Sequence, residues 1–333
     1  MKIALDAMGS DGAPDVEVKG AILAARRLPV SDGIILVGDR KAVSSCLRDL
    51  PELPDNIEVF HASEAISMVE APVAGLKKKK DSSISRALGL VRDGAAEAVV
   101  GAGNTGATVG AARLALGSLP GVERPAIAAT LPSRRGFFTL IDSGANTDCR
   151  PQHLLQFAQM GVEYHRFNTG EPNPRVGLLN IGMEEKKGND LVREAYRLLA
   201  VSGLDFAGNL EGSEIFMGAA DVIVADGFVG NVFLKAAEGA SATLQHMLFR
   251  EMRRCWWSTA ARLLLRPVLF KMWQRTDFEE YGGAPLLGVD GICIIAHGRS
   301  TPKAIASALE LAGRFASRNV NRRLVSAVAA GQA

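Results

Sequence analysis

Short apolar runs of strand type alternate with longer helix-forming stretches along most of the chain. Each run ends at a turn rich in glycine, asparagine or aspartate. We predict strands at residues 2–7, 33–37, 57–61, 98–100, 126–131, 137–142, 176–181, 221–225 and 292–296. We predict helices at 15–27, 41–50, 108–116 and 302–318, with others that begin at 154 and continue through 234–238. This alternation indicates an α/β fold with a largely parallel sheet covered on both faces, in which ligands bind at the carboxyl ends of the strands.

A glycine-rich loop at 101–106 has the clearest local chemistry. It follows the apolar run 98–100 and leads into a helix. Glycines let a ligand approach the backbone, and the free N–H groups at the start of a helix attract anions. Asn104 and Thr105 add short polar side chains at the same place. We therefore predict that a negatively charged group binds here.

The spacing of Gly101, Gly103 and Gly106 also matches the dinucleotide fingerprint. That fingerprint requires an acidic residue about 20 positions later, at the end of the next strand. Glu123 has the right distance, but it precedes a strand-like run. The pattern therefore favours a phosphate site over a nicotinamide or flavin cofactor. A purely structural glycine turn remains an alternative.

Composition narrows the class of protein. With 333 residues, 47% of them hydrophobic and 22% charged, the chain can form one large globular α/β unit. A net charge of +2 argues against nucleic-acid binding. The four cysteines form no C-x-x-C pair, which fits reduced thiols in a cytoplasm. We expect no secretory signal. We also expect no membrane-spanning segment, because no uncharged apolar run is long enough to cross a membrane.

Two segments depart from the alternation. Residues 248–275 contain seven Lys or Arg, one acidic residue and three tryptophans, with Pro267 between two helical stretches. We expect this segment to project as a bent helical tip that touches a membrane surface. A dimer contact is the alternative. The lysine run 77–80 is either a solvated loop or a docking surface for an acidic partner.

The remaining motifs exclude some chemistry. The G-x-S-x-G elbow of hydrolases is absent, and no H-x-x-x-H pair indicates a catalytic zinc. Cys149 has no neighbouring residue that would activate it. The polar groups predicted at the strand ends are amides, hydroxyls, lysines and one histidine. Such a set suits transfer to or from phosphate by positioning and charge stabilisation.

Nine short motifs occur in order between residues 6 and 300. They are DAMGSDGAP (6–14), GAGNTGA (101–107), RPAI (124–127), IDSGAN (141–146), GMEEKKGN (182–189), DGFVGN (226–231), EG (238–239), YGGAPLLGVDG (281–291) and HGRS (297–300). Together they resemble the bacterial phosphate acyltransferases, the PlsX family, which make acyl phosphate from acyl-acyl-carrier protein and inorganic phosphate at the start of phospholipid synthesis. Ser10 and Met183 depart from the family pattern, which has smaller residues there.

The resemblance implies an isopropylmalate-dehydrogenase-like, three-layer α/β/α fold with one catalytic domain over 1–333. It further implies a homodimer with no organic cofactor. No metal site is expected, because the histidines are dispersed. The expected partners are acyl carrier protein, inorganic phosphate and the membrane surface through 248–275, with no nucleic acid. A membrane acyl-phosphate:glycerol-3-phosphate acyltransferase is a further expected partner. The protein would be cytoplasmic and peripherally bound to the inner face of the membrane.

We assign phosphate binding to the loop of Gly103, Asn104, Thr105 and Gly106, with Ser300 assisting. The loop would then hold phosphate or an acyl phosphate in place of a dinucleotide.

Three further residues receive catalytic roles. Lys187 and Asn231 are predicted to stabilise the oxyanion or phosphate, and His297 is the candidate acid or base because histidine titrates near neutral pH. Each has a structural alternative: Lys187 as a solvated charge, His297 as a cap of the last helix, and Asn231, like Asn104, as a turn residue.

Two other functions remain open at this point. One is a short-chain phosphate acyltransferase that uses acyl-coenzyme A, and the other is a non-catalytic module that binds acyl groups or the carrier protein. Phosphate is already an anion at neutral pH, and a thioester has a good leaving group. The phosphate acyltransferase reaction therefore needs no activated side-chain nucleophile.

Overall fold

The structure, a computed structural model, describes residues 1–29, 31–48, 54–254 and 283–330. Its strands are β1 Lys2–Asp6, β2 Gly33–Gly38, β3 Ile57–His61, β4 Ala98–Gly101, β5 Ala126–Ser133, β6 Gly136–Ile141, β7 Val176–Leu179, β8 Phe206–Leu210, β9 Val222–Val224, β10 Ala284–Leu287 and β11 Ile292–Ile295. Its helices are α1 Asp15–Ala25, α2 Arg40–Arg48, α3 Pro72–Lys78, α4 Ser83–Arg92, α5 Thr105–Leu116, α6 Pro151–Thr169, α7 Asp190–Ala200, α8 Gly212–Phe216, α9 Gly227–Arg254, α10 Pro302–Ser317 and α11 Val320–Ala330.

All of these strands belong to one sheet, in the order β3-β2-β1-β4-β11-β10-β5-β6-β9-β7-β8. The first five strands in this order are parallel. Strand β10 is antiparallel to both β11 and β5, and β5 is antiparallel to β6. From β6 onwards the strands are parallel again. The sheet therefore contains two parallel groups, β3 to β11 and β6 to β8, which run in opposite directions.

Helices cover both faces of this sheet. Successive side chains of a strand point to opposite faces of the sheet. Leu140 and Ile141, at the end of β6, show which helices cover each face. Ile141 packs in one apolar cluster with residues of α1, α6, α7, α10 and α11, while Leu140 packs in another with residues of α8 and α9. Helices α4 and α5 cover the other half of this second face. The three-layer α/β/α arrangement is thus confirmed.

Helix α6 forms the centre of the first helical layer. Tyr164 and Phe157 are almost fully buried, and the Tyr164 ring lies 5.9 Å from that of Phe315 in α10. Its hydroxyl lies 3.1 Å from the Thr130 hydroxyl, so the buried polar group has a partner. Burying each large side chain contributes about 1.5–3 kcal/mol. The helix ends at Gly170, which adopts the left-handed conformation with φ of 81°.

All nine predicted strands occur, but some boundaries and elements differ. Neither β8 nor β10 was among the predicted strands. The short α3 ends at Lys78, so the lysine run begins inside a helix. Helix α9 starts at Gly227, seven positions before the predicted helix, and continues past 248 to Arg254. Most of the predicted projecting tip lies outside the described residues.

Among the described helices, none is sufficiently long and apolar to cross a membrane.

Candidate functional site

The phosphate loop connects β4 to α5, as predicted. Asn104 is the N-cap of α5: its side-chain oxygen accepts a hydrogen bond from Ala107 N at 3.1 Å. Its Nδ2 donates to the carbonyls of Met68 and Glu70 at 3.2 and 3.0 Å. These contacts support the structural alternative for the Asn104 side chain. They leave the backbone N–H groups at the start of the helix, which have no intrahelical acceptor, as the candidate element for binding an anion.

A second loop packs directly on the phosphate loop. A Cβ atom on Gly9, which follows β1, would lie 2.8 Å from Gly103 N, so the two backbones touch and neither position has room for a side chain. Asp11 N donates to the carbonyl of Gly298 at 2.9 Å. This bond joins the β1 loop to the loop after β11. The carboxyl ends of β1, β4 and β11 thereby form one surface around Thr105 and Gly106, both of which are exposed.

Two carboxyl groups lie buried beneath this surface. Ser10 N donates to Glu17 Oε1 at 3.1 Å, while Glu17 Oε2 has no hydrogen-bond partner among the described residues. Burial raises the pKa of the Glu17 carboxyl to about 7. Burial also raises the pKa of Asp6, whose Oδ1 accepts from Met8 N. Glu17 can therefore hold a proton near neutral pH.

The loop after β6 is organised by Asp142, which is fully buried. Its two oxygens accept hydrogen bonds from the backbone N–H groups of residues 127 and 144–146, and also from the Asn146 side chain. Helix α9 begins against this loop. A Cβ atom on Gly230 would lie 1.9 Å from the Asp142 carbonyl oxygen, and one on Gly227 would lie 2.7 Å from Asn146 N. The glycines of DGFVGN therefore permit close helix-to-loop contact inside α9 and do not form the predicted turn.

One face of α9 carries three polar residues near the loops that follow β6 and β11. Asn231, Lys235 and Glu238 are spaced four and three positions apart, which places them on the same side of a helix. The Asn231 side chain lies against Gly144, where a Cβ atom would be 3.4 Å from Asn231 Cγ. Lys235 Nζ donates to Glu238 Oε2 at 2.8 Å. The same Nζ lies 3.2 Å from His297 Nε2, so α9 connects the β6 loop with the β11 loop.

His297 lies at the end of β11, beside the phosphate loop. Its Nδ1 accepts a hydrogen bond from Arg299 N at 3.1 Å. Partial burial of the ring lowers its pKa, and the Lys235 charge lowers it further. The imidazole is therefore neutral at pH 7 and able to accept a proton. Helix α10 is capped by the Thr301 side chain, which accepts from Ala304 N, so His297 is not needed as a cap.

The other predicted residues occupy different surroundings. Ser300 is buried, and its N–H donates to the His297 carbonyl at 2.9 Å, so it lies within the same loop as the histidine. Lys187 is exposed; its Nζ lies 3.8 Å from Glu184 Oε1, and its carbonyl accepts from Asn180 Nδ2. Those contacts belong to the β7 loop itself. The structure joins Asn231 to His297 through α9, and the role of Lys187 stays a prediction.

Lys235 is the main residue that our sequence analysis missed. A lysine within an alanine-rich helix is ordinarily a solvated charge, and nothing nearby in the sequence marks it. The available signal was its position four residues after Asn231, on the helix face that also carries Glu238. Glu17 was missed for a similar reason, because nothing in the sequence shows that the preceding β1 loop folds back onto its carboxylate.

Other chemistry has little support among the described residues. They contain no group of three or more His, Cys, Asp or Glu side chains placed to hold a metal ion. Burial, followed by the Asp142 charge, raises the pKa of the half-buried Cys149 thiol to about 12. A thiol with that pKa stays protonated at neutral pH and is a poor nucleophile.

Comparison with known proteins gives matches over almost the full length. Residues 1–323 match the family described as Fatty acid synthesis protein. A protein of Syntrophotalea carbinolica named Phosphate acyltransferase is 45% identical over 326 residues, which cover 97% of this chain and 93% of the relative. A protein of the same name from Heliobacterium modesticaldum is 48% identical over 329 residues, covering 98% of this chain and 96% of the relative.

Solved structures share the fold at low identity. A phosphotransacetylase from Streptococcus pyogenes superposes with a TM-score of 0.61 at 18% identity, covering 96% of this chain and 94% of that one. A branched-chain phosphotransacylase from Enterococcus faecalis gives a TM-score of 0.55 at 14% identity, covering 98% and 99%. At such identities the likeness concerns the fold alone.

Proposed function

Because this chain belongs to the family of fatty acid synthesis proteins, we propose that it is a phosphate acyltransferase, which moves an acyl group from a thioester to inorganic phosphate. The observation that carries this proposal is the similarity, at 45% and 48% identity, to the two full-length relatives of that name. The glycine-lined helix start beside His297 agrees with it. We further propose acyl-acyl-carrier protein as the donor and phospholipid synthesis as the use of the product, following the sequence resemblance.

Phosphate binding is proposed at the start of α5. The backbone N–H groups of Thr105 and Gly106 are the donors, and the helix dipole favours the negative charge. Asn104 fixes the first turn by its hydrogen bonds to Met68, Glu70 and Ala107. Its part in catalysis is then to position the backbone donors. Ser300 is proposed to assist from the β11 loop.

The chemical step transfers one acyl group and one proton. An oxygen of hydrogen phosphate attacks the thioester carbonyl carbon, and the C–O bond forms as the C–S bond breaks. Neutral His297 accepts the phosphate proton at Nδ1, in place of the hydrogen bond from Arg299 N, and returns it to the departing thiolate sulfur, so that acyl phosphate and free thiol are the products. Asn231 and Lys187 are proposed to stabilise the oxyanion on the carbonyl oxygen. The reverse reaction follows the same path.

Docking of the carrier protein is proposed at the lysine run 77–80. Helix α3 packs on α5, where a Cβ atom on Gly106 would lie 2.8 Å from Pro72 Cγ. The run lies at the opposite end of this short helix from Pro72, next to Leu76, which contacts α5 at Gly110. Lys77, Lys78 and Lys80 are exposed, so their charges are accessible to an acidic partner.

The homodimer and the peripheral attachment to the inner face of the membrane also stay proposals. The homodimer rests on the family resemblance. The membrane attachment rests on the basic and aromatic residues of 248–275, of which only the part up to Arg254 is described. The membrane acyl-phosphate:glycerol-3-phosphate acyltransferase is proposed as the consumer of the product, since a long-chain acyl phosphate partitions into membranes.

The deciding experiment incubates the pure protein with acyl-acyl-carrier protein, with and without inorganic phosphate. Free thiol and hydroxylamine-trapped acyl phosphate are both measured. We expect thiol release only with phosphate, matched by an equal amount of acyl phosphate. Release at equal rate without phosphate, with fatty acid as the product, would make the protein a thioesterase. Binding without turnover would support the carrier-binding module, and a preference for acyl-coenzyme A would support the alternative donor.

A further inference from the structure

A groove lies in the helical layer that contains α6, on the opposite face of the sheet from α5 and α9. Its volume is about 780 Å³, and its walls are formed by α6, by the loop after α7, and by α11 with the turn before it. On α6 the lining residues Gln159, Val162, Glu163 and Arg166 share one helix face. A groove of this size is suited to a small molecule.

The lining is strongly basic. It contains four arginines, Arg166, Arg318, Arg322 and Arg323, and a single acidic residue, Glu163, which leaves three net positive charges. Glu163 is already paired with Arg166. The guanidinium of Arg318 lies over the Phe167 ring at 5.6 Å. Among the described residues no carboxylate pairs with Arg322 or Arg323.

Gln159 gives a second, independent indication of a ligand. It lies in the wall formed by α6, and its side chain is only 5% exposed. Its amide has no hydrogen bond to another side chain or to the backbone among the described residues. The amide atoms are not among the fully buried ones without a partner, so water reaches them from the groove and a ligand can take its place. The groove therefore offers an unused donor and acceptor beside its arginines.

We propose that this groove is a second anion site, which binds a small molecule that carries two or more phosphate groups. Guanidinium groups match phosphate oxygens in a bidentate geometry, and the arginines of α11 lie along one side of the groove. The Gln159 amide and the apolar Val162 provide contacts for an uncharged part of the ligand, as a nucleotide has. The groove is separate from the phosphate loop, so the inference does not rest on the proposed acyl transfer.

Calorimetric titration of the full chain with adenosine 5′-diphosphate tests the proposal. The double variant R322A/R323A is expected to bind at least about tenfold more weakly, because hydrogen bonds between charged groups contribute that much each. The matched control is R26A/R113A, which removes two exposed arginines from α5 and the end of α1, outside the groove. The control is expected to bind like the wild type.

Gln159→Leu separates ligand binding from a structural role. The leucine has a similar size and removes the unpaired amide, so we expect weaker binding of adenosine 5′-diphosphate together with an equal or higher melting temperature of the free protein. An equal loss of binding in R26A/R113A would show a general charge effect and overturn the proposal. So would the absence of binding at millimolar concentration, or a Gln159→Leu protein that melts earlier but binds normally.

Discussion

The Nζ atom of Lys235 lies 3.2 Å from Nε2 of His297, and Glu238 accepts a hydrogen bond from the same Nζ. The lysine charge disfavours a protonated imidazole. The contact thus holds His297 in the neutral form that can act as a base. Substitutions in α9 that remove or add charge near His297 should therefore change the pKa of the histidine.

Removing the lysine charge should change the pH dependence of the reaction. Burial and the Lys235 charge lower the His297 pKa. As the pH decreases, the activity of the wild type should therefore be lost only at pH values below the usual pKa range of histidine. In Lys235→Gln the pKa rises, and the acid limb of kcat/KM should move to higher pH. The measurement is a pH profile of kcat/KM from pH 5 to 8, each profile normalised to its own maximum.

The variant Glu238→Gln serves as a control, because it should shift the His297 pKa in the opposite direction. Glu238 raises the His297 pKa, so its neutralisation should move the acid limb to lower pH. Limbs that coincide in the wild type and both variants would mean that His297 does not take up the proton that matters.

Gly230 should not tolerate a side chain. A Cβ atom there would lie 1.9 Å from the Asp142 carbonyl oxygen, so Gly230→Ala must push the start of α9 away from the β6 loop, at a cost of about 1–3 kcal/mol or more. Gly239→Ala is the matched control in the same helix, because its Cβ would meet nothing within 4 Å. That control should gain about 0.5–1 kcal/mol from helix propensity. Denaturant unfolding measures both, and equal stability of the two variants would contradict the close contact.

Asn231→Ala and Lys187→Ala should each lower kcat by roughly a hundredfold, which is the effect of losing one oxyanion donor. Both side chains are exposed, so the melting temperature should stay unchanged. The two variants are informative separately, since only Asn231 lies on the helix that reaches His297. A near-normal rate in Lys187→Ala would assign that lysine to the solvated surface of the β7 loop.

Carrier docking at the lysine run should depend on salt. Exposed charges are screened over about 8 Å at physiological ionic strength, so the apparent KM for the acyl-carrier protein should rise with added salt. The triple variant K77Q/K78Q/K80Q should flatten that dependence. Lys79 is excluded because its Nζ bonds to Glu70 and to the Ala65 carbonyl, both at 2.7 Å. If the slope of the triple variant equals that of the wild type, the carrier binds elsewhere.

Glu17 should make stability depend on pH. Its folded pKa of about 7 lies above the unfolded value, so the unfolded chain releases its proton first and stability falls as the pH rises from about 4.5 to about 7. Glu17→Gln removes this proton release. Its free energy of unfolding, relative to the wild type, should be higher at pH 8 than at pH 5. An unchanged difference between the two pH values would show that Glu17 titrates normally.

The sequence was sufficient for the architecture because the signal there is local. Short apolar runs such as 98–100 and 292–296, which end at glycine-rich turns, indicate buried strands, and their alternation with helices indicates the layers. Strand β10 escaped prediction because Ala284–Leu287 is a four-residue run among glycines. The reversal of direction between β11 and β6 was also hidden, since pairing between distant strands leaves no local pattern.

The site was predictable only in part, because contacts between residues that are distant in the chain leave no local pattern in the sequence. The loop 101–106 contains its own chemistry, and the structure places it beside His297. The glycines of DGFVGN looked like a turn because the partner that requires them, the Asp142 carbonyl, is about 90 residues away in the chain. Lys235 becomes distinctive only through its contact with His297, which no spacing reveals.

The contact of Gly227 and Gly230 with the β6 loop has a consequence for how the site tolerates change. It fixes how α9 is rotated about its own axis at the first turn. The direction of every later side chain is then set, because each residue turns the helix by about 100°. Asn231 and Lys235 are thus aligned by their separation of four residues, about 6 Å along the axis. A single insertion between them would keep every side chain present and the helix intact, yet turn Lys235 away from His297. The number of residues between Asn231 and Lys235 therefore sets the spacing between the contacts with the β6 loop and the β11 loop. This stretch of α9 can change in composition on its outer side, but it cannot change in length.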